Sequence, residues 1–142
     1  MPVILGEPQP FASRGGLKLD HALKQFHVLP CGKTAIDVGA STGGFTDCLL
    51  KNGAKKVYAV DVGYGQLVWS LRNDPRVICL DRKNARTLSK EDIGEALDLA
   101  VVDVSFISLQ LVIPPLLEIL KPEGDLLALV KPQFEVGKEE VE

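Results

Sequence analysis

Thr34-Ala-Ile-Asp-Val-Gly-Ala-Ser-Thr-Gly-Gly-Phe-Thr-Asp-Cys-Leu-Leu-Lys-Asn-Gly53 is the stretch from which the rest of the chain can be read. Thr34 to Val38 is a short apolar run closed by Gly39, and Phe45 to Asn52 carries a helical pattern that stops at Gly53. The order is strand, glycine loop, helix. Working towards the C-terminus, Val57 to Val60 predicts a second strand ending in Asp61, and Gln66 to Arg72 a short helix. Val77 to Leu80 predicts a third strand, Leu97 to Val102 a fourth ending at Asp103, and Leu126 to Val130 a fifth. Between them Asp81 to Ile93 is polar and carries no assignment, while Leu109 to Leu120 reads as a helix with Pro114-Pro115 near its start. Towards the N-terminus a helix begins after Gly15-Gly16, with Leu17, Leu19, Ala22, Leu23 and Phe26 as its apolar face. Met1 to Ser13, with three prolines and a glycine, reads as an extended leader.

Strands and helices therefore alternate, and the strands are apolar without polar alternation. That pattern belongs to strands buried on both faces, so we expect an α/β fold: a Rossmann-like, mostly parallel central sheet with helices on each side. Ligands of such sheets bind beyond the carboxyl ends of the strands, near the point where strand order reverses. In this chain those ends carry Asp37, Asp61, Asp81, Asp103 and Lys131.

With 142 residues, 46% of them hydrophobic, the chain fills one core and is too short for two ordinary domains. Its net charge of -3 argues against holding nucleic acid through an overall positive field, so any RNA contact has to come from a local basic patch or a further segment. Cys31, Cys48 and Cys79 are isolated and lack metal-ligand spacing, which suits thiols in a reducing compartment. No apolar run approaches a membrane span and no signal-peptide layout opens the chain. The expectation is a soluble cytoplasmic protein with no membrane partner and no metal.

The loop Asp37 to Phe45 holds Gly39, Gly43 and Gly44, which let backbone approach a ligand closely. Ala40 and Ser41 stand where a dinucleotide fingerprint needs its second glycine, so a pyrophosphate cradle, and with it an NAD-dependent dehydrogenase, is disfavoured. An acidic residue two positions before the first glycine suits a ligand bearing an ammonium group. Asp61 is placed to accept hydrogen bonds from ribose hydroxyls. S-adenosylmethionine carries both groups, and Asp37, Gly39, Ala40, Ser41, Gly43, Gly44, Phe45 and Asp61 are its candidate contacts. The competing reading is a tight turn whose glycines serve packing and whose Asp37 serves as a cap.

Lys18, Asp103 and Lys131 form a second set. Attack of a hydroxyl on a sulfonium methyl needs a base, and a lysine serves only where burial or a neighbouring cation weakens its hold on the proton. Lys18 and Lys131 offer such a pair, with Asp103 to orient the base; the alternative makes both lysines solvated surface residues. His21 and His27 lack ligand spacing and read as ordinary helix residues. Tyr64, Trp69 and Phe106 suit either base stacking or the core.

Five motifs then bring a resemblance. Ser13-Arg-Gly-Gly-Leu-Lys-Leu19, Asp37-Val-Gly-Ala-Ser-Thr-Gly-Gly-Phe-Thr-Asp47, Ala59-Val-Asp-Val-Gly-Tyr-Gly-Gln-Leu67, Asp103-Val-Ser-Phe-Ile-Ser108 and Lys131-Pro-Gln-Phe-Glu135 closely resemble, in order, the hemolysin A (TlyA-type) family of FtsJ-like ribosomal RNA methyltransferases. The resemblance implies 2′-O-methylation of ribose, in that family of cytidine, in ribosomal RNA or ribosomal subunits, with S-adenosylmethionine as donor. By motif it assigns Lys18, Asp103 and Lys131 to catalysis, and Asp61 to the ribose contact. Asn84, in the Asp81 to Arg86 segment, falls to the adenine contact.

It also sets three expectations of organisation: residues 14–142 form the methyltransferase domain, the family's N-terminal RNA-binding domain is absent, and the last strands with the family's catalytic Glu are missing. Two further readings follow, a module that binds S-adenosylmethionine or RNA without catalysis and a cytolysin suggested by the family name. No membrane span or barrel hairpin supports the latter.

Overall fold

The computed structural model describes residues 3–6, 15–104 and 106–130. Six strands form one sheet: β1 (Val3–Gly6), β2 (Thr34–Val38), β3 (Lys56–Val60), β4 (Val77–Leu80), β5 (Leu97–Val104) and β6 (Leu120–Val130). They lie in the order β1-β6-β5-β2-β3-β4, and every pairing is parallel. The helices are α1 (Gly15–Gln25), α2 (Gly44–Lys51), α3 (Trp69–Arg72), α4 (Lys90–Ile93) and α5 (Phe106–Ile119), with a 3-10 turn at Ala85–Thr87.

The pattern of side chains along β2 explains the layering. Ala35 packs with Leu19 and Leu23 of α1 and Leu49 of α2, whereas Ile36 and Val38 pack with Leu116 and Ile119 of α5 on the other face. Period-two alternation thus divides one fully buried strand between two apolar layers, and helices cover both. The chain runs from β2 outward through β3 to β4, then returns to β5 on the other side of β2. Strand order therefore reverses between β2 and β5, which places a crevice at their carboxyl ends.

Several local readings change. Val3–Gly6, assigned above to an extended leader, pairs with Leu126–Leu129 of β6 as an edge strand; its proline-flanked, four-residue length hid it. Leu17 is exposed, because it stands about 200° round the helix from Leu19 and so points away from the face made by Leu19, Ala22 and Leu23. The segment 81–93 forms the 3-10 turn and α4, whose start is a capping box between Ser89 and Asp92. Finally, α5 begins earlier than expected, so Pro114 and Pro115 fall just past its middle rather than near its start. The carbonyls they leave without helical donors belong to Gln110 and Leu111, which are exposed and can bond water.

The strand β6 also starts earlier than expected. Leu120 pairs with Leu97, but the next pair is Asp125 with Leu99, so 121–124 bulge out before regular pairing resumes. Asp98 fastens this end of the sheet: its Oδ2 accepts from the Thr34 amide at 2.9 Å and its Oδ1 meets Lys121 Nζ at 2.8 Å.

Candidate functional site

The loop leaving β2 is shaped by its neighbours on β3 and α3. The amides of Gly39 and Ala40 both donate to the Val60 carbonyl, at 2.9 and 3.0 Å. Gly39 has φ +85°, and a Cβ there would lie 3.1 Å from the Asp103 carbonyl oxygen, so its lack of a side chain lets the loop lie against the end of β5. At Gly43, with φ +112°, a Cβ would come within 2.5 Å of Leu71 Cδ1 and 2.7 Å of Leu67 Cδ1. Gly43 is thus favoured by its backbone conformation, and the side-chain ends of Leu67 and Leu71 close over it. Ser41, also at positive φ, donates its amide to Asp61 Oδ2, and Gly63 donates to Asp61 Oδ1 at 3.0 Å. The Asp61 carboxylate accordingly ties together the two loops that leave β2 and β3.

Beneath this loop Asp37 is fully buried. Thr46 Oγ1, in the first turn of α2, donates to its Oδ2 at 2.7 Å, while its Oδ1 has no hydrogen-bond partner among the described residues. Burial pushes the Asp37 carboxyl up to about 7; the Thr46 hydroxyl pulls it down, and the negative charges of Asp103 and Asp61 push it further up. A buried carboxyl with an orphaned oxygen is costly in the free protein and would be relieved by a cation.

On the α5 face of the same edge lies an open cleft of about 330 Å3. Val38, Val60, Leu111 and Val112 give it apolar walls, and Gly39, Asp61, Asn84 and Ser108 supply polar groups. Such walls with few polar groups suit a flat heteroaromatic ring. Asn84 Oδ1 caps the 3-10 turn by accepting from the Arg86 amide at 2.9 Å. Lys83 is held by Asp92 at 3.0 Å, which anchors the 83–86 wall to α4.

The sequence-predicted residues divide accordingly. Gly39, Asp61 and Asn84 line the cleft; Asp37 is buried on the other side of β2, against Thr46 of α2, and the Asp103 carbonyl lies against Gly39. Ala40 and Phe45 are buried in packing, Gly43 is packed against Leu67 and Leu71, and Gly44 presents its carbonyl to Gly16 of α1. Lys18 is half-buried in the first turns of α1, which that contact sets against the start of α2. Asp103, next to last in β5, is the register partner of Leu129, and Lys131 lies outside the described residues, directly after Val130. Sequence reasoning missed Thr46, Ser108 and the apolar walls. A threonine in the first turn of a helix gives no sign that it faces back to a strand, and wall residues such as Leu111 look like any helix leucine.

Among the described residues there is no cluster of groups able to hold a metal ion, and no helix is long and apolar enough to cross a membrane. His21 and His27 are both exposed. Tyr64 and Trp69 are exposed as well, so neither belongs to the core.

Residues 11–142 match the family of FtsJ-like methyltransferases. The chain belongs to that family. The 16S/23S rRNA (cytidine-2′-O)-methyltransferase TlyA of Mycobacterium tuberculosis is 53% identical over 139 residues, covering 98% of this chain and 52% of that protein. A candidate hemolysin from Streptococcus thermophilus superposes with a TM-score of 0.84 at 51% identity, covering 96% of this chain and 50% of that one. At 17% identity, an S-adenosylmethionine dependent methyltransferase from Mesorhizobium loti still superposes with a TM-score of 0.59, over 73% of this chain and 48% of that one, and shares the fold. This FtsJ-like chain spans about half the length of the curated relatives it matches.

Proposed function

We propose that this FtsJ-like chain forms the S-adenosylmethionine-binding core of a cytoplasmic ribosomal RNA 2′-O-methyltransferase that acts on the ribose of cytidine. The observation that carries the reading is the glycine loop at the sheet's switch point, with the orphaned Oδ1 of buried Asp37 under it and Gly39 and Asp61 opening onto an apolar cleft. These residues fit the donor: an acidic group for its ammonium, a carboxylate at Asp61 for ribose hydroxyls, and an apolar slot beside Asn84 for adenine.

When bound, S-adenosylmethionine supplies a methyl group activated by its sulfonium. The chain's part is to bind, orient and deprotonate. Asp37 and Asp61 hold the two polar ends of the donor, with Gly39 giving close backbone approach. Gly44 and the neighbouring Ala40, Ser41, Gly43 and Phe45 keep the loop in that shape. Lys131 takes the proton of the attacking 2′-hydroxyl, Lys18 is the cation that weakens its hold on its own proton, and Asp103 orients it. Ribosomal RNA is the substrate class because relatives more than half identical to this chain carry that activity in their names.

Transfer of a labelled methyl group from the donor to ribosomal RNA tests the reading, alongside calorimetric titration of the donor. Transfer that depends on Lys131, and is lost in Lys131→Ala, supports the assignment; undiminished transfer by that variant removes Lys131 as the base. Donor binding without transfer reassigns the chain to a binding module. Failure of the donor to bind rejects the whole reading.

A further inference from the structure

Beside the cleft lies a surface that includes none of the donor contacts proposed above. Tyr64 is 68% exposed, and the Arg82 guanidinium sits over its ring with the central carbon 4.6 Å from the ring centroid. Trp69, the chain's one tryptophan, is 78% exposed at the start of α3. The two segments are joined, since Arg72 at the end of α3 grips Asp81 through two nitrogens at 2.9 and 3.2 Å. Val62 and Val68 are exposed as well, and apolar groups exposed together, rather than singly, mark interaction sites.

The Arg82 position is built rather than incidental. Its backbone has φ +55°, a conformation that a long side chain rarely adopts. The Arg82 amide donates to the Gly63 carbonyl at 2.9 Å and the Lys83 amide to the Asp61 carbonyl at 3.0 Å, which fixes the turn against the Tyr64 loop. Both ends of this turn reach the cleft, through Asp61 and Val62 on one side and Lys83 on the other. The platform is therefore rigidly attached to the rim of the donor site.

We propose that Tyr64 and Arg82, with Trp69 on the adjoining helix α3, form a stacking platform for unpaired RNA bases that flank the methylated ribose. Resting on the ribosomal RNA reading above, the inference adds the form in which the substrate is met, single-stranded rather than duplex. Aromatic faces stack on any base, and the guanidinium adds charge for the backbone, which is the chemistry by which single strands are held. Charge complementarity favours RNA locally although the chain carries -3 overall. The nearby Asp81 is already bonded to Arg72, Asp92 to Lys83 and the Asp61 carboxylate to the Ser41 and Gly63 amides, so Arg82 is the cation of this patch that is not spent on an ion pair among the described residues.

Trp69 supplies the probe. Titration with an oligocytidylate of about 12 nucleotides, within the site sizes common to single-strand binders, is expected to quench its fluorescence saturably; the same sequence in a duplex is expected to bind more weakly. Tyr64→Ala should weaken binding by about 5- to 100-fold, while Tyr64→Phe keeps it, because only the ring is needed. Arg82→Ala should lower the slope of log affinity against log salt by about 1, and Arg82→Lys should retain that slope. Donor affinity, measured by calorimetry, should be unchanged in all four.

Absent quenching, wild-type binding by Tyr64→Ala, or equal binding of duplex would each overturn the proposal. So would loss of self-association in Tyr64→Ala with RNA binding intact, which would assign the patch to a second copy. Failure of the donor to bind the unsubstituted chain would instead count against the function proposed above.

Discussion

Thr46 and Asp37, nine residues apart, meet through a 2.7 Å hydrogen bond that satisfies one carboxyl oxygen and leaves the other without a partner among the described residues. This asymmetry places a group that titrates near neutrality directly under the glycine loop. In the folded chain the carboxyl ionises at about 7, against 3.8 for an unhindered aspartate. Between those values the unfolded chain binds fewer protons than the folded one, so folding stability falls as pH rises from about 4 to 7 and then levels. Thermal unfolding across that range should show the decline in the unsubstituted chain and a flatter profile in Asp37→Asn. An equally steep profile in the variant would remove Asp37 as its source.

The same linkage bears on ligand binding. A cationic donor favours ionised Asp37, so below about 7 binding must expel a proton, and affinity for S-adenosylmethionine should rise with pH by up to about tenfold per unit before it levels. Calorimetry in buffers of differing ionisation enthalpy reads the released proton directly. Asp37→Asn should bind weakly and without release. Proton release that persists in the variant would place the titrating group elsewhere.

Two glycines of the loop separate packing from binding. Gly43→Ala introduces strain at φ +112° and presses on two leucine side-chain ends, which can shift. A stability loss of about 1–3 kcal/mol is expected, with donor affinity of the folded protein retained. Gly39→Ala presses instead on the backbone carbonyl of Asp103 and places a methyl group in the wall of the cleft. It should lose donor affinity by tenfold or so as well as stability. Denaturant titration and calorimetry on both variants check the split; equal loss of affinity in the two would contradict it.

Much of the fold could be read because β2 to β5 are short apolar runs closed by acidic or glycine residues, and burial on both faces removes the polar alternation that would confuse them. The strand β1 could not, since Val3–Gly6 carries too few residues to show a period and gains its place only by pairing with distant β6. For the site, Asp37, Gly39 and Asp61 were legible because acidic residues and glycines after apolar strands stand out against their surroundings. The role of Gly43 was not, because its crowding arises from Leu67 and Leu71, more than twenty residues further on. Nor were Thr46 and Ser108, small polar residues whose direction depends on how α2 and α5 dock.

Asp61 offers a test in which the conservative change is expected to fail. Both of its carboxylate oxygens accept backbone N–H groups, from Ser41 and Gly63. Asparagine keeps the shape but turns one acceptor into a donor, so in either orientation an NH2 group faces an N–H. Asp61→Asn should therefore be no better than Asp61→Ala: each should lower stability by about 1 kcal/mol and weaken donor binding by tenfold or more, since the loops leaving β2 and β3 lose their tie. Glutamate, too long for the same pair of contacts, should not rescue either property. Calorimetric affinities for the three variants, set beside their denaturation midpoints, decide the matter. Near-normal binding by Asp61→Asn would show that the carboxylate's charge and double acceptance are dispensable, and would move the ribose contact to another residue of the cleft.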